Sequence, residues 1–162
     1  MLNGERALVS HADAPWLPKG GRADVVLVDE DAEVPAPTCL VRLLATRGGR
    51  VLTVPRADGG GLDIPTRRVE ASTPADCLRT LVMDVLGSVQ PTRLVGYVRN
   101  VVPEAPDDYP WPSPCAHFAV WHCRLPEDVE PAGLWLDAAS AGTEMGARHW
   151  WPLAAHVPPF ER

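Results

Sequence analysis

Arg67 and Arg68 stand side by side in a polar stretch that follows an extended Asp63–Pro65 run. Two adjacent guanidiniums match the oxygens of a phosphate, so the pair reads either as a phosphate grip or as a solvated loop pair. Tyr109 and Trp111 lie in the proline-rich segment Pro103–Pro114. Aromatic faces accept any nucleobase, so these two either stack on a base or tuck against a sheet. Cys115, His117 and Cys123 share one alternation of a strand-like run. Their spacing puts Cys115 and Cys123 about 26 Å apart on an extended chain, too far for one ion, so they read as core.

These residues hang on a well-marked unit from Asp63 to Gly87. Thr73 caps a helix, Pro74 suits its first position, and Asp76 completes a Thr-x-x-Asp pattern. Cys77, Leu78, Leu81, Val82, Val85 and Leu86 form one apolar face, and Gly87 suits the C-terminal cap. Asp84 falls at the rim of that face. An acid so near a helix C-terminus opposes the helix dipole slightly, so Asp84 is either a solvated rim acid or a functional one. Glu70, in the polar stretch before the helix, reads first as a plain loop acid.

Around this unit the chain is mostly strands. Ala7–Ser10 allows a short strand, Ala23–Asp29 predicts a buried one, and Glu30–Pro37 reads as a linker. Cys39–Thr46 and Val51–Arg56 predict a hairpin about Arg47-Gly48-Gly49-Arg50, with glycines where positive φ is needed. Pro55 belongs near a strand end. Thr92–Val102 predicts a strand with Gly96 as a candidate bulge. Ala116–Leu125 predicts its partner, with His117, Ala119, Trp121 and Cys123 on one face and Phe118, Val120 and His122 on the other. Gly133–Leu136 allows one more strand, Ala138–Met145 is small and polar, and His149–Leu153 leads into a final helical turn.

This order of elements resembles the Nudix hydrolase superfamily, in which a strand leads through a loop into a catalytic helix. The family signature is G-x5-E-x7-R-E-U-x-E-E-x-G-U, where U is a bulky apolar residue. Anchored on Gly87, Thr66 stands for the first Gly, Ser72 for the first Glu, Thr80 and Leu81 for the Arg-Glu pair, and Asp84 and Val85 for the paired acids. A second frame aligns Arg79 with the Arg and allows one extra residue before Gly87. In both frames Asp84 is the only acid on the second half of the helix. The resemblance runs from about Thr38 to His156.

The resemblance implies an α/β fold, a Nudix-like α/β/α sandwich around a mixed β-sheet. It is expected to form one domain over 1–162, with 1–37 a loosely defined N-terminal strand and linker. It implies hydrolysis of a nucleoside diphosphate derivative or related diphosphate with Mg²⁺ or Mn²⁺. Asp84 and Glu70 would then be metal ligands. Glu144, ahead of the His149-Trp150-Trp151-Pro152-Leu153 tail, would be the base, and Arg67, Arg68, Tyr109 and Trp111 would meet substrate. The alternative is a catalytically silent Nudix-fold module that binds a nucleotide-like ligand or a protein partner.

Bulk properties narrow the partners. The chain has 162 residues, 46% hydrophobic and 22% charged, with net charge -6 and a pI of about 5.3. An acidic chain of this kind is a poor partner for nucleic acid or an anionic membrane. No stretch reaches the ~20 apolar residues of a membrane span, and no leader-like N-terminus is expected. Four cysteines without a CxxC pair suggest free thiols and a cytoplasmic setting. A small-molecule nucleotide or diphosphate is the expected ligand, and a homodimer is compatible with the sequence.

Overall fold

The computed structural model describes residues 4–160; residues 1–3 and 161–162 of the expected 1–162 unit lie outside it. The strands are β1 (Glu5–Ala12), β2 (Arg22–Val28), β3 (Thr38–Arg47), β4 (Arg50–Pro55), β5 (Leu62–Asp63), β6 (Thr66–Arg68), β7 (Arg93–Val101), β8 (Cys115–Arg124) and β9 (Leu134–Asp137). The helices are α1 (Pro74–Leu86) and α2 (Ala138–Met145), followed by a 3₁₀ segment over Trp151–His156.

The strands form one mixed sheet in the order β1-β2-β7-β8-β3-β4-β5, with β6 also on β3 and β9 also on β4. β3 is its centre. One edge of β3 runs parallel to β8 from Thr38 to Thr46. The other edge is shared. β6 pairs with Leu40–Arg42, and β4 pairs only near the hairpin, at Thr46 and Arg47. β4 therefore splays away from the start of β3, and the Leu62–Arg68 stretch fills the gap.

The two faces of the sheet bury different layers. Val41, Leu43 and Ala45 pack with Cys77, Leu78, Leu81, Val82 and Leu86 of α1. On the other face Leu44, Val98, Phe118 and Val120 pack with Ala141 and Met145 of α2 and with Trp150 and Leu153. Helices thus cover both sides of a mixed sheet, as a Nudix-like α/β/α sandwich requires. The alternation expected for β8 holds, because Ala119 and Trp121 pack with the Tyr97 cluster while Phe118 and Val120 face α2.

The caps of α1 follow the local chemistry. The Thr73 hydroxyl accepts from the Asp76 amide, and Gly87 adopts φ 73° while its N–H bonds the Met83 carbonyl. The reciprocal half of the capping pattern is not made. The Asp76 carboxylate instead accepts from Arg79 at 2.6 Å. Gly48 and Gly49 both take positive φ in the β3–β4 turn. Gly96 marks a register shift between β7 and β8.

Two stretches depart from expectation. Arg67 and Arg68 lie on β6, not in a loop, because β3 offers an unpaired edge where β4 leaves it. Ala138–Met145 is a helix. Its cap is Asp137, whose side chain accepts from the Ser140 amide, and it buries Ala141 and Met145.

Candidate functional site

β3 presents Leu40 and Arg42 on the face opposite α1. They line two adjoining cavities. One, of about 380 Å³, is also lined by Trp16, Leu17, Val98, Asn100, Tyr109, Pro110, Trp111, Phe118 and His149. The other, of about 410 Å³, is formed by Val54–Asp58, Asp63, Ile64 and Thr66. Leu40 and Arg42 belong to both, so the two make one groove across β3.

The first cavity is aromatic. Trp16 and His149 stack with ring centroids 4.2 Å apart. Burial lowers the His149 pKa, and the nearby Arg42 guanidinium adds to the shift, which favours the neutral ring. Trp111 meets Phe118 edge-on at 5.1 Å, and the Arg68 guanidinium lies 4.6 Å over the Trp111 ring, a cation–π contact. The Tyr109 hydroxyl and the Asn100 amide oxygen are buried without a hydrogen-bond partner among the described residues. Burial pushes the Tyr109 pKa up, opposed in part by the Asn100 amide, which lies where it can donate to the phenol oxygen, although the pair falls short of a well-formed hydrogen bond.

The second cavity is ionic. Asp63 is buried. Its Oδ1 accepts from the Ile64 amide at 2.8 Å and from the Trp150 indole at 3.0 Å. Its Oδ2 faces Arg42 at 3.5 Å, Arg56 at 3.8 Å and Arg148 at 3.8 Å. Arg56 also holds Asp58, whose pKa falls to about 2 through that bond and the Gly60 amide. Arg148 donates to the carbonyls of Gly60 and Leu62.

Strand alternation separates the two arginines that the sequence sets side by side. Arg67 pairs with Val41 and Arg68 with Leu40, so they project to opposite faces. Arg67 turns to the α1 side, where it bonds the Asp84 carboxylate. Arg68 turns to the groove, beside Trp111. Tyr109 and Trp111 line the same cavity, tucked against the sheet and open to a ligand at once. Glu70 is exposed just beyond β6. Glu144 approaches Gly61 from α2, its Oε2 3.7 Å from where a side chain on that glycine would begin.

The carboxylates expected to share a metal do not form one group. Among the described residues no three His, Cys, Asp or Glu side chains stand where they could hold an ion. The donor chemistry explains this. Asp84, the one acid on the second half of α1, spends its carboxylate on Arg67, whose positive charge also repels a cation. In the groove Asp58 and Asp63 are likewise engaged by arginines. Among the described residues the side chains as placed offer the Mg²⁺ or Mn²⁺ that the fold family implies no three-carboxylate set, and no chemical step is derived through one.

Arg42, Arg56 and Arg148 escaped the sequence reading because they sit in three distant segments. One signal existed. Arg42 interrupts an apolar strand between Leu40 and Leu44 on a covered face, and a charge in that position needs a partner.

No protein-family model and no curated protein sequence matches the chain. Among solved structures, a point mutant of the Bacillus subtilis pyrophosphohydrolase BsRppH matches at 13% identity and a TM-score of 0.50. The match covers 76% of this chain and 68% of that one. At that identity the likeness is one of fold, and it accords with the layers described above: the chain has a Nudix-like mixed α/β fold.

Proposed function

We propose that the chain is a Nudix-fold binding module whose groove across β3 takes a nucleotide-like small molecule. The observation that carries this reading is the aromatic cavity, into whose wall the buried Tyr109–Asn100 pair is set with the Asn100 amide oxygen unpartnered among the described residues. Trp16, Trp111, Phe118 and His149 offer flat apolar surface to a planar ring. The Tyr109 hydroxyl lies beside the Asn100 side-chain amide, and the Asn100 amide oxygen has no partner among the described residues. Buried polar groups are normally satisfied, and a donor on the hydrogen-bonding edge of a nucleobase would supply what the Asn100 oxygen lacks.

Titration calorimetry with adenosine, guanosine, cytidine and uridine and their 5′-diphosphates tests the reading. Saturable binding is expected, weakened roughly 5- to 150-fold by Trp111→Ala. That size follows from the ~1–3 kcal/mol that one base–aromatic stack contributes. Absence of binding by every member at millimolar concentration would overturn it.

A second reading, metal-dependent hydrolysis of a nucleoside diphosphate derivative, is favoured by the fold likeness to a pyrophosphohydrolase. It calls for a metal-binding carboxylate set that Asp84, Glu70 and Glu144 do not supply in this conformation. Mononucleotide release from the same diphosphates with Mg²⁺ or Mn²⁺, abolished by Asp84→Asn, would establish it over the first.

A further inference from the structure

The Arg42–Arg56–Arg148 cluster is short of negative charge. Arginine stays protonated in proteins, and these three side chains are half-buried, so their charge is only partly met by water and calls for partners. Three guanidiniums converge on a single oxygen of Asp63, all between 3.5 and 3.8 Å, beyond the distance of a good hydrogen bond. The other Asp63 oxygen is already taken by the Ile64 amide and the Trp150 indole. Asp58 bonds Arg56 and the Gly60 amide and reaches Arg148 only through space, and Glu144 makes no ion pair with any of the three. The Nε groups of Arg42 and Arg148 are buried and unpartnered among the described residues. Burial lowers the Arg42 pKa, and Asp63 only partly opposes this.

Arg42 and Arg56 line a cavity of about 410 Å³ that shares Leu40 and Arg42 with the aromatic one, and Arg148 approaches its wall at Asp63. A small oxyanion there would supply acceptors to the free N–H groups and the missing charge. Guanidiniums match phosphate oxygens in planar, bidentate geometry. We propose that Arg42, Arg56 and Arg148 form a metal-independent cradle for a phosphoryl or diphosphoryl group. Resting on the ligand reading above, it places the anionic tail at Asp63 and the ring at Trp111. Protein guanidiniums then neutralise the phosphates without a divalent cation.

The test is calorimetry in EDTA with three probes: adenosine, adenosine 5′-diphosphate and pyrophosphate. The diphosphate is expected to bind at least tenfold more tightly than adenosine. That advantage should shrink as salt is raised. It should be lost in Arg42→Gln and in Arg148→Gln, and kept in Arg79→Gln on the exposed side of α1. Equal binding of adenosine and its diphosphate, or an advantage that appears only when Mg²⁺ is added, would overturn the cradle and leave the ring site standing. Pyrophosphate binding with no gain from the adenosine moiety would support the cradle and overturn the ring site. Failure of all three probes overturns both. Should Arg42→Gln not fold, the wild-type comparison in EDTA and the Arg148→Gln variant still decide.

Discussion

Asp84 and Arg67 form an exposed ion pair on the α1 side of the sheet. Such pairs contribute about 0–1 kcal/mol, since solvent screens them. Asp84→Asn is therefore expected to change urea-unfolding stability by less than ~1 kcal/mol and to leave ligand affinity within about twofold, because the groove lies on the opposite face of β3. A larger loss of affinity in calorimetry would return Asp84 to the site. His122 behaves differently. It faces the Thr46 hydroxyl at 2.8 Å, and burial, with Arg93 and Arg124 adding to it, pulls its pKa from 6.5 to about 4. Between those values the unfolded chain binds a proton that the folded one refuses. Stability therefore rises with pH through that window and falls on acidification. Burial lowers the His117 and His149 pKa values in the same direction. Melting temperatures from pH 7 to 4.5 should fall steadily, and His122→Gln should flatten part of the slope. An unchanged slope in that variant would refute the assignment.

At the level of elements, Gly96 shows what close strand packing demands. A methyl group there would sit 2.0 Å from the Val26 carbonyl oxygen and 2.8 Å from a Leu153 methyl. A side-chain tip can move aside, but a paired backbone cannot without parting β2 from β7. Gly96→Ala should cost at least about 2 kcal/mol, within the usual range for overpacking, seen as a lower urea midpoint at unchanged slope. The glycine was legible as a bulge, and α1 was legible almost to the residue, because caps and apolar periodicity are local signals. α2 was not, since Ala138–Met145 has only two buried side chains, and its helicity depends on the Asp137 cap and on contact with β5 and β9. β6 was misread for a related reason. Thr66–Arg68 has no strand-like composition, and only the vacant edge of β3 makes it one. That edge also decides which way Arg67 and Arg68 face, so the ligand side of the arginine pair could not be read from adjacency.

For the whole molecule, Asp63 is the point where distant segments meet. Through it the end of the β4–β5 hairpin is tied to Arg42 on the central strand, and to Arg148 and Trp150 just before the 3₁₀ segment. None of those links is local in sequence, which is why nothing in the chain marked the acid as the partner of three arginines. Its removal would leave three guanidiniums facing one another and a buried indole N–H without an acceptor. Breaking a buried ion pair from one side costs about 3–5 kcal/mol, and for a chain of this size that corresponds to a drop in Tm on the order of 10 °C. Asp63→Ala should show such a drop in calorimetric melting. Pyrophosphate should restore more of it than an equal ionic strength of sodium chloride, because a multivalent oxyanion can occupy the position of the lost carboxylate among the same three arginines, whereas chloride only screens them. A variant that melts within a degree of the wild type would mean that the arginines are already satisfied by solvent. The same measurement therefore tests the tie between the segments and the charge deficit of the cluster.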